Sequence, residues 1–115
     1  MSNANSPILD FENALSRAGG DLDLLKEIAA LFLDEYPRSL AELRQALAEG
    51  DAEAVGRTAH GLKGAVANFG AQPAVDAAFT LEQMGQSHDL AAGSETLANL
   101  KQALADLKQE LEQIP

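Results

Sequence analysis

The 115-residue chain has no cysteine and no tryptophan, and aromatic residues make up only 4% of it. Without thiols, disulfide bonds, thiol catalysis and thiolate metal sites are excluded. No apolar run approaches the roughly 20 residues that a membrane-spanning helix needs. No secretory signal is visible near the N-terminus. We therefore expect a cytoplasmic protein that does not enter a membrane.

Basic residues are also few, with 8 Lys and Arg against 18 Asp and Glu, which gives a formal net charge of −10. A domain with this charge repels phosphate backbones and anionic lipid surfaces. Nucleic acid and membranes are therefore excluded as expected partners. The acidic balance otherwise indicates no more than an ordinary solvated surface.

Glycine and proline divide the chain into segments. Within these segments the apolar residues recur at the spacing of a helix, and no segment shows the alternation of apolar and polar residues that is typical of a strand. A short first helix is predicted over residues 11–18. A second begins near Asp21, and Pro37 inside it predicts a kink or two abutting helices. A third is predicted from Asp51 to Gly70.

A fourth helix has Pro73 in its first turn, and a fifth has an apolar residue at every third or fourth position over residues 97–114. Four longer amphipathic helices with short connections predict an all-α fold, an antiparallel up-down-up-down four-helix bundle. The short first helix is predicted to cap one end. We expect one domain over residues 9–115 and a disordered or partly vector-derived tail over residues 1–8. The apolar stripe predicted for the fourth helix is Val75, Ala78, Leu81 and Met84.

The third helix carries the residue of greatest chemical interest, His60. On a wheel of about 100° per residue with Val55 at zero, the other apolar positions fall within about 40° of Val55, His60 lies near 140°, and Lys63 lies near 80° at the border. His60 is therefore predicted to face solvent. The predicted core stripe of this helix is Val55, Ala59, Leu62, Val66 and Phe69.

Three glycines, Gly56, Gly61 and Gly64, surround His60 on the same helix. Each costs roughly 1 kcal/mol of helix stability relative to alanine. None lies on the predicted core stripe, so none is expected to serve close packing. We interpret them as leaving the imidazole on a nearly bare backbone that a bulky partner can approach, with Lys63 one turn away.

A lone exposed histidine is ordinarily just a solvated side chain, and His88, which has no His or Cys companion, is interpreted in that way. His60 differs because of its neighbours. A neutral imidazole is a nucleophile that forms covalent intermediates, and a lysine beside it can neutralise a transferred anionic group. Metal binding fits poorly, because the residues one turn from His60 cannot ligate a metal: Gly56, Arg57, Lys63 and Gly64.

The motif His-Gly-Leu-Lys-Gly at residues 60–64, followed by Asn-Phe-Gly-Ala at residues 68–71, resembles the histidine-containing phosphotransfer (HPt) domains of bacterial phosphorelays. The Leu-Glu pair at residues 81–82 falls where such domains commonly have Leu-Glu. The likeness extends from about Leu9 to the end of the chain. One departure is Ala65, where many relatives carry serine.

The resemblance implies that His60 accepts a phosphoryl group from a receiver-domain phospho-aspartate and passes it to another receiver. The domain is then a phosphocarrier rather than an enzyme. It has no cofactor of its own, since Mg²⁺ belongs to the receiver, and it is expected to be a monomer. Lys63 steadies the phosphoryl group and Gly64 gives access to it. The docking or orienting residues that the resemblance implies are Gly56, Gly61, Ala67, Asn68 and Glu82.

Apolar residues are expected around His60 on the docking surface, and Ala59, Ala67 and Phe69 are candidates, although the wheel places Ala59 and Phe69 in the core. Two alternatives remain open. One is a non-catalytic helical interaction module that presents a groove to a partner. The other is the dimerising part of a sensor histidine kinase, which also bears an exposed histidine but needs a nucleotide-binding domain. No Gly-rich nucleotide loop is present.

Overall fold

The computed structural model describes residues 8–115, and no strand occurs among them. The tail predicted over residues 1–8 lies outside the described residues, apart from Ile8, which is half-buried and packs against the core. The five helices of the described part are α1 (Phe11–Arg17), α2 (Leu22–Glu49), α3 (Ala52–Ala67), α4 (Gln72–Ser87) and α5 (Gly93–Leu111).

Aspartate side chains set the first three helix starts. Asp10, Asp21 and Asp51 each accept a hydrogen bond from the backbone N–H three residues further on, at 3.0 to 3.1 Å. Each bond satisfies one of the free N–H groups at a helix N-terminus. The starts predicted at Asp21 and Asp51 are confirmed. Gly50 ends α2 in the left-handed conformation, with φ 68°, which costs glycine little.

Pro37 lies inside α2, which is one helix of 28 residues. The predicted alternative of two abutting helices is therefore wrong. Proline removes one helical hydrogen bond, but Phe32 before it and Leu43 after it are both buried in the core. Packing on both sides of the proline holds the two halves in a single element.

The four long helices contact one another in a ring, α2 with α3, α3 with α4, α4 with α5, and α5 with α2. Phe32 of α2 contacts Phe69 just beyond α3, with ring centroids 5.3 Å apart, while the turn at Gly50 joins the other ends of these two helices. These two helices therefore run antiparallel, which is consistent with the predicted up-and-down bundle. The backbone N–H of Asp10 donates to the carbonyl of Phe69 at 2.8 Å, which ties the start of α1 to one end of the bundle.

The buried face of α4 differs from the predicted stripe. Val75 and Met84 are only partly buried, whereas Glu82 is buried. The predicted Ala78 and Leu81 are buried, whereas the rest of the buried face is formed by Glu82 and by small residues that allow α4 to lie close to its neighbours. The buried residues of this helix are Ala74, Ala78, Leu81, Glu82 and Gly85. No helix among residues 8–115 is both long and apolar enough to cross a membrane.

Candidate functional site

The core stripe of α3 lies where the wheel placed it, and His60 lies outside it. The predicted core residues of this helix region are buried, whereas the His60 side chain is 69% exposed. The predicted solvent exposure of His60 is confirmed. Ala59 and Phe69 are buried among the core residues, so they are unavailable to a docking partner, and their candidacy for a docking surface is wrong.

Glu82 of α4 faces His60 across the helix pair. Its Oε2 lies 2.6 Å from Nδ1 of His60, and its Oε1 accepts a hydrogen bond from Nζ of Lys63, also at 2.6 Å. The Glu82 side chain is only 9% exposed. Glu82 is therefore not a solvated surface carboxylate. Instead, both carboxylate oxygens are engaged by residues of α3.

The Glu82 carboxyl stays ionised despite its burial. The hydrogen bond from Lys63 holds its pKa below the usual value of a glutamate, desolvation opposes this by raising the pKa, and the contact with His60 lowers it again. A buried carboxylate is tolerated when cationic and N–H partners satisfy its oxygens. Glu82 is thus a fixed negative charge beneath the imidazole.

An ionised carboxylate can only accept hydrogen bonds. The contact with Oε2 of Glu82 therefore places a proton on Nδ1 of His60. In the neutral imidazole the other nitrogen, Nε2, then carries the free lone pair. The pair of helices presents an exposed imidazole with a defined tautomer and one nitrogen available for attack.

Lys63 lies between the site and an aromatic ring that sequence reasoning missed. Its side chain is 28% exposed, and Nζ lies 5.1 Å from the centroid of the Phe79 ring. Such a cation–π contact helps to fix the ammonium group beside Glu82. Phe79 itself is 46% exposed. Its position one turn before Glu82 on α4 is the signal that could have identified it.

The three glycines of α3 divide into two kinds. A Cβ added to Gly61 or Gly64 would meet nothing within 4 Å, so both positions are open to solvent, as the bare-backbone interpretation requires. Gly56 instead lies against Gly85 of α4, because a Cβ on Gly85 would come within 2.6 Å of the Gly56 Cα. Gly56 therefore lies at a close helix contact, but a Cβ on Gly56 itself would meet α4 only at ordinary distances of 3.7 to 3.8 Å, so glycine is not required at this position.

Ala67 and Asn68 lie seven and eight residues beyond His60, which is about 10 to 12 Å along a helix axis. Ala67 is half-buried, and Asn68 is exposed at the C-terminal cap of α3. They are not brought to the imidazole itself, although Ala67 shares its side of the wheel.

His88 is exposed and caps α4 in the left-handed conformation, with φ 56°. It lines a cleft of about 370 Å³ that His60 and Arg57 also line. Its predicted exposure is confirmed. Within residues 8–115, no group of three or more His, Cys, Asp or Glu side chains is arranged to hold a metal ion.

Comparison with known proteins identifies the class to which this helical bundle belongs. The sequence profile of the Hpt domain matches residues 27–110, most of the chain. The chain therefore belongs to the Hpt domain family, and the resemblance noted from its motif is confirmed. HPt proteins are phosphocarriers of phosphorelays rather than enzymes.

A solved structure is similar over nearly the whole chain. It is the crystal structure of histidine-containing phosphotransfer protein B (HptB) from Pseudomonas aeruginosa PAO1, with a TM-score of 0.87 and 25% sequence identity, and 94% of each chain is covered. The predicted all-α HPt bundle is thereby confirmed. No curated protein matches the sequence.

Proposed function

We propose that His60 is the phosphoryl-accepting residue of this phosphocarrier, and that it takes the group from a receiver-domain phospho-aspartate and returns it to the aspartate of another receiver. The single observation that carries this proposal is the exposed His60 imidazole whose Nδ1 lies 2.6 Å from the Glu82 carboxylate. That contact leaves Nε2 as the nucleophile, turned away from the buried carboxylate.

In the transfer step, the Nε2 lone pair attacks phosphorus in line with the bond to the aspartate oxygen. The new P–N bond forms as the P–O bond breaks, and the aspartate leaves as a carboxylate. Nδ1 keeps its proton, and the positive charge that develops on the ring is stabilised by ionised Glu82. The return step reverses these events with the carboxylate of the second receiver as the nucleophile.

Among the described residues, Lys63 is the only lysine or arginine that donates a hydrogen bond to Glu82. Because its side chain is partly exposed and one turn from His60, Nζ can turn toward a phosphoryl group on Nε2 and offset its negative charge. In this proposal Mg²⁺ is held by the receiver, and the carrier needs no metal or other cofactor of its own.

The face around His60 suits the approach of a folded partner. Gly61 and Gly64 place no side chain beside the imidazole, so a receiver can bring its phospho-aspartate close to Nε2. The partly exposed ring of Phe79 adds apolar surface at the rim. We propose that the carrier acts as a monomer in the cytoplasm, where it exchanges receivers on this one face.

The test is transfer from a phosphorylated receiver to purified carrier, followed as acid-labile label. We expect wild-type protein and His88→Gln to accept the label, and His60→Gln to accept none. His88→Gln is the matched control, since it removes the other histidine of the chain. Acid-labile label on His60→Gln would overturn the proposal. Unlabelled wild-type protein that still binds the receiver would favour a non-catalytic interaction module instead.

A further inference from the structure

A close backbone approach next to the site involves two glycines on facing helices. A Cβ built on Gly85 of α4 would lie 2.5 Å from the Gly56 backbone nitrogen, 2.6 Å from the Gly56 Cα, and 2.7 Å from the carbonyl oxygen of Ala52. All three atoms belong to the backbone of α3, so no side chain can rotate away to make room. Any side chain at position 85 requires the two helices to move apart.

The contact is not symmetric. A Cβ built on Gly56 would meet the carbonyl oxygen of Glu82 and the Cα of Gly85 at 3.7 Å, and the carbonyl carbon of Gly85 at 3.8 Å. These are ordinary van der Waals distances. The absence of a side chain is therefore required at Gly85 and only convenient at Gly56.

The glycine contact lies next to the reacting group. Gly56 precedes His60 by four residues on α3, and Gly85 follows Glu82 by three residues on α4, so each glycine is one helical turn from a member of the His60–Glu82 pair. The two helices run antiparallel here, because position 56 faces 85 and position 60 faces 82. Their separation at the glycines consequently sets the gap that Glu82 must span.

We propose that Gly85 is a positioning residue for His60. By carrying no side chain it allows α4 to approach α3 closely enough for the Glu82 carboxylate to reach Nδ1, and so it fixes the tautomer that leaves Nε2 free. The kinetic part of this inference rests on the proposed function, whereas the structural part concerns the unphosphorylated protein alone.

The experiment compares Gly85→Ala with Gly56→Ala, which adds the same methyl group from the opposite side of the same contact. Histidine side-chain ¹H–¹⁵N spectra at about pH 8, where an ordinary imidazole is neutral, report which ring nitrogen of His60 carries the proton. We expect the Nδ1–H form in the wild type and in Gly56→Ala. In Gly85→Ala we expect a shift toward the Nε2–H form.

Labelling by phosphoramidate, a small phosphoryl donor, is measured on wild-type protein and Gly85→Ala. Because small displacements of a reacting group are costly, we expect about a tenfold slower rate in Gly85→Ala. A shifted tautomer with an unchanged rate would support the positioning by Gly85 and contradict the proposed catalytic role of Glu82. An unchanged tautomer in Gly85→Ala would overturn the positioning itself.

Glu82→Asp provides a second route that leaves the helix contact untouched. It shortens the side chain by one methylene and widens the same gap from the carboxylate side. Circular dichroism confirms that each variant is folded. If Gly85→Ala does not fold, the tautomer of His60 in Glu82→Asp tests the proposal instead. A shift toward the Nε2–H form supports the view that helix separation limits the reach of Glu82. A retained Nδ1–H form contradicts that view.

Discussion

The Glu82 carboxylate lies 2.6 Å from Nδ1 of His60, and only 9% of its side chain is exposed, while 69% of the histidine side chain faces solvent. One nitrogen of the ring is thus held by a buried anion, and we propose that the other is presented to a partner. The same carboxylate also accepts a hydrogen bond from Lys63. The chemistry proposed for the protein depends on this arrangement.

Replacing Glu82 by glutamine is expected to slow phosphorylation of His60 by about tenfold. The amide is nearly the same size, but it carries no charge and can donate as well as accept, so it neither selects the Nδ1–H tautomer nor stabilises the charged ring. The measurement is the initial rate of labelling by phosphoramidate. Glu27→Gln, an exposed position on α2, is the matched control, and equal rates for all three proteins would show that Glu82 has no part in the reaction.

The ionisation of Glu82 also predicts how stability depends on pH. Its pKa in the folded protein is lowered from the usual 4.5, chiefly by Lys63, so the unfolded chain binds more protons in the acid range. The stabilisation by the carboxylate is therefore fully present above pH 4.5 and is lost as pH falls through the lowered folded pKa. Urea unfolding of wild type and Glu82→Gln from neutral to acid pH measures it. The wild-type advantage should shrink as the solution is acidified, and an advantage that grows instead would contradict the assignment.

Lys63→Met is expected to reduce the rate of His60 phosphorylation by about tenfold, or about 1.4 kcal/mol of barrier. Methionine keeps an apolar side chain against Phe79 and removes the ammonium group that we propose offsets the phosphoryl charge. Lys26→Met, at an exposed position of α2, controls for the loss of one positive charge. Both variants are compared with wild type in the phosphoramidate assay, and a rate loss shared by both would assign the effect to net charge rather than to Lys63.

Gly61→Ala and Gly64→Ala should each stabilise the protein by roughly 1 kcal/mol, because alanine is the better helix former and its Cβ meets no neighbour at either position. The same methyl groups stand on the face that a receiver is proposed to cover. Transfer from a phosphorylated receiver should therefore slow more than labelling by phosphoramidate. Thermal unfolding and the two assays together test this, and more stable variants with faster receiver transfer would argue against docking on this face.

The sequence was informative where burial follows side-chain size. On α3 the large apolar residues Val55, Leu62 and Val66 lie in the core, so the wheel located His60 correctly. On α4 the buried face includes Gly85 and the charged Glu82, and neither contributes to a hydrophobic pattern. The predicted stripe is therefore confirmed at Ala78 and Leu81, whereas Val75 and Met84 are only partly buried.

The composition of the site could be predicted only in part for the same reason. Lys63 and the glycines are neighbours of His60 along one helix, and their spacing alone brings them together. Glu82 and Phe79 reach the site from α4, and the rotation of one helix against another depends on packing. Residue spacing therefore identified neither, and Glu82 was named only through the family resemblance. The contact between Gly56 and Gly85 was missed because a glycine that allows close approach looks, in the sequence, like one that leaves a surface bare.

The most direct test of the central claim is the ¹⁵N spectrum of the histidine side chains after phosphorylation. We predict phosphorus coupling at Nε2 of His60, a proton retained on Nδ1, and an unmodified His88. Phosphorus on Nδ1 of His60, or on His88, would contradict it.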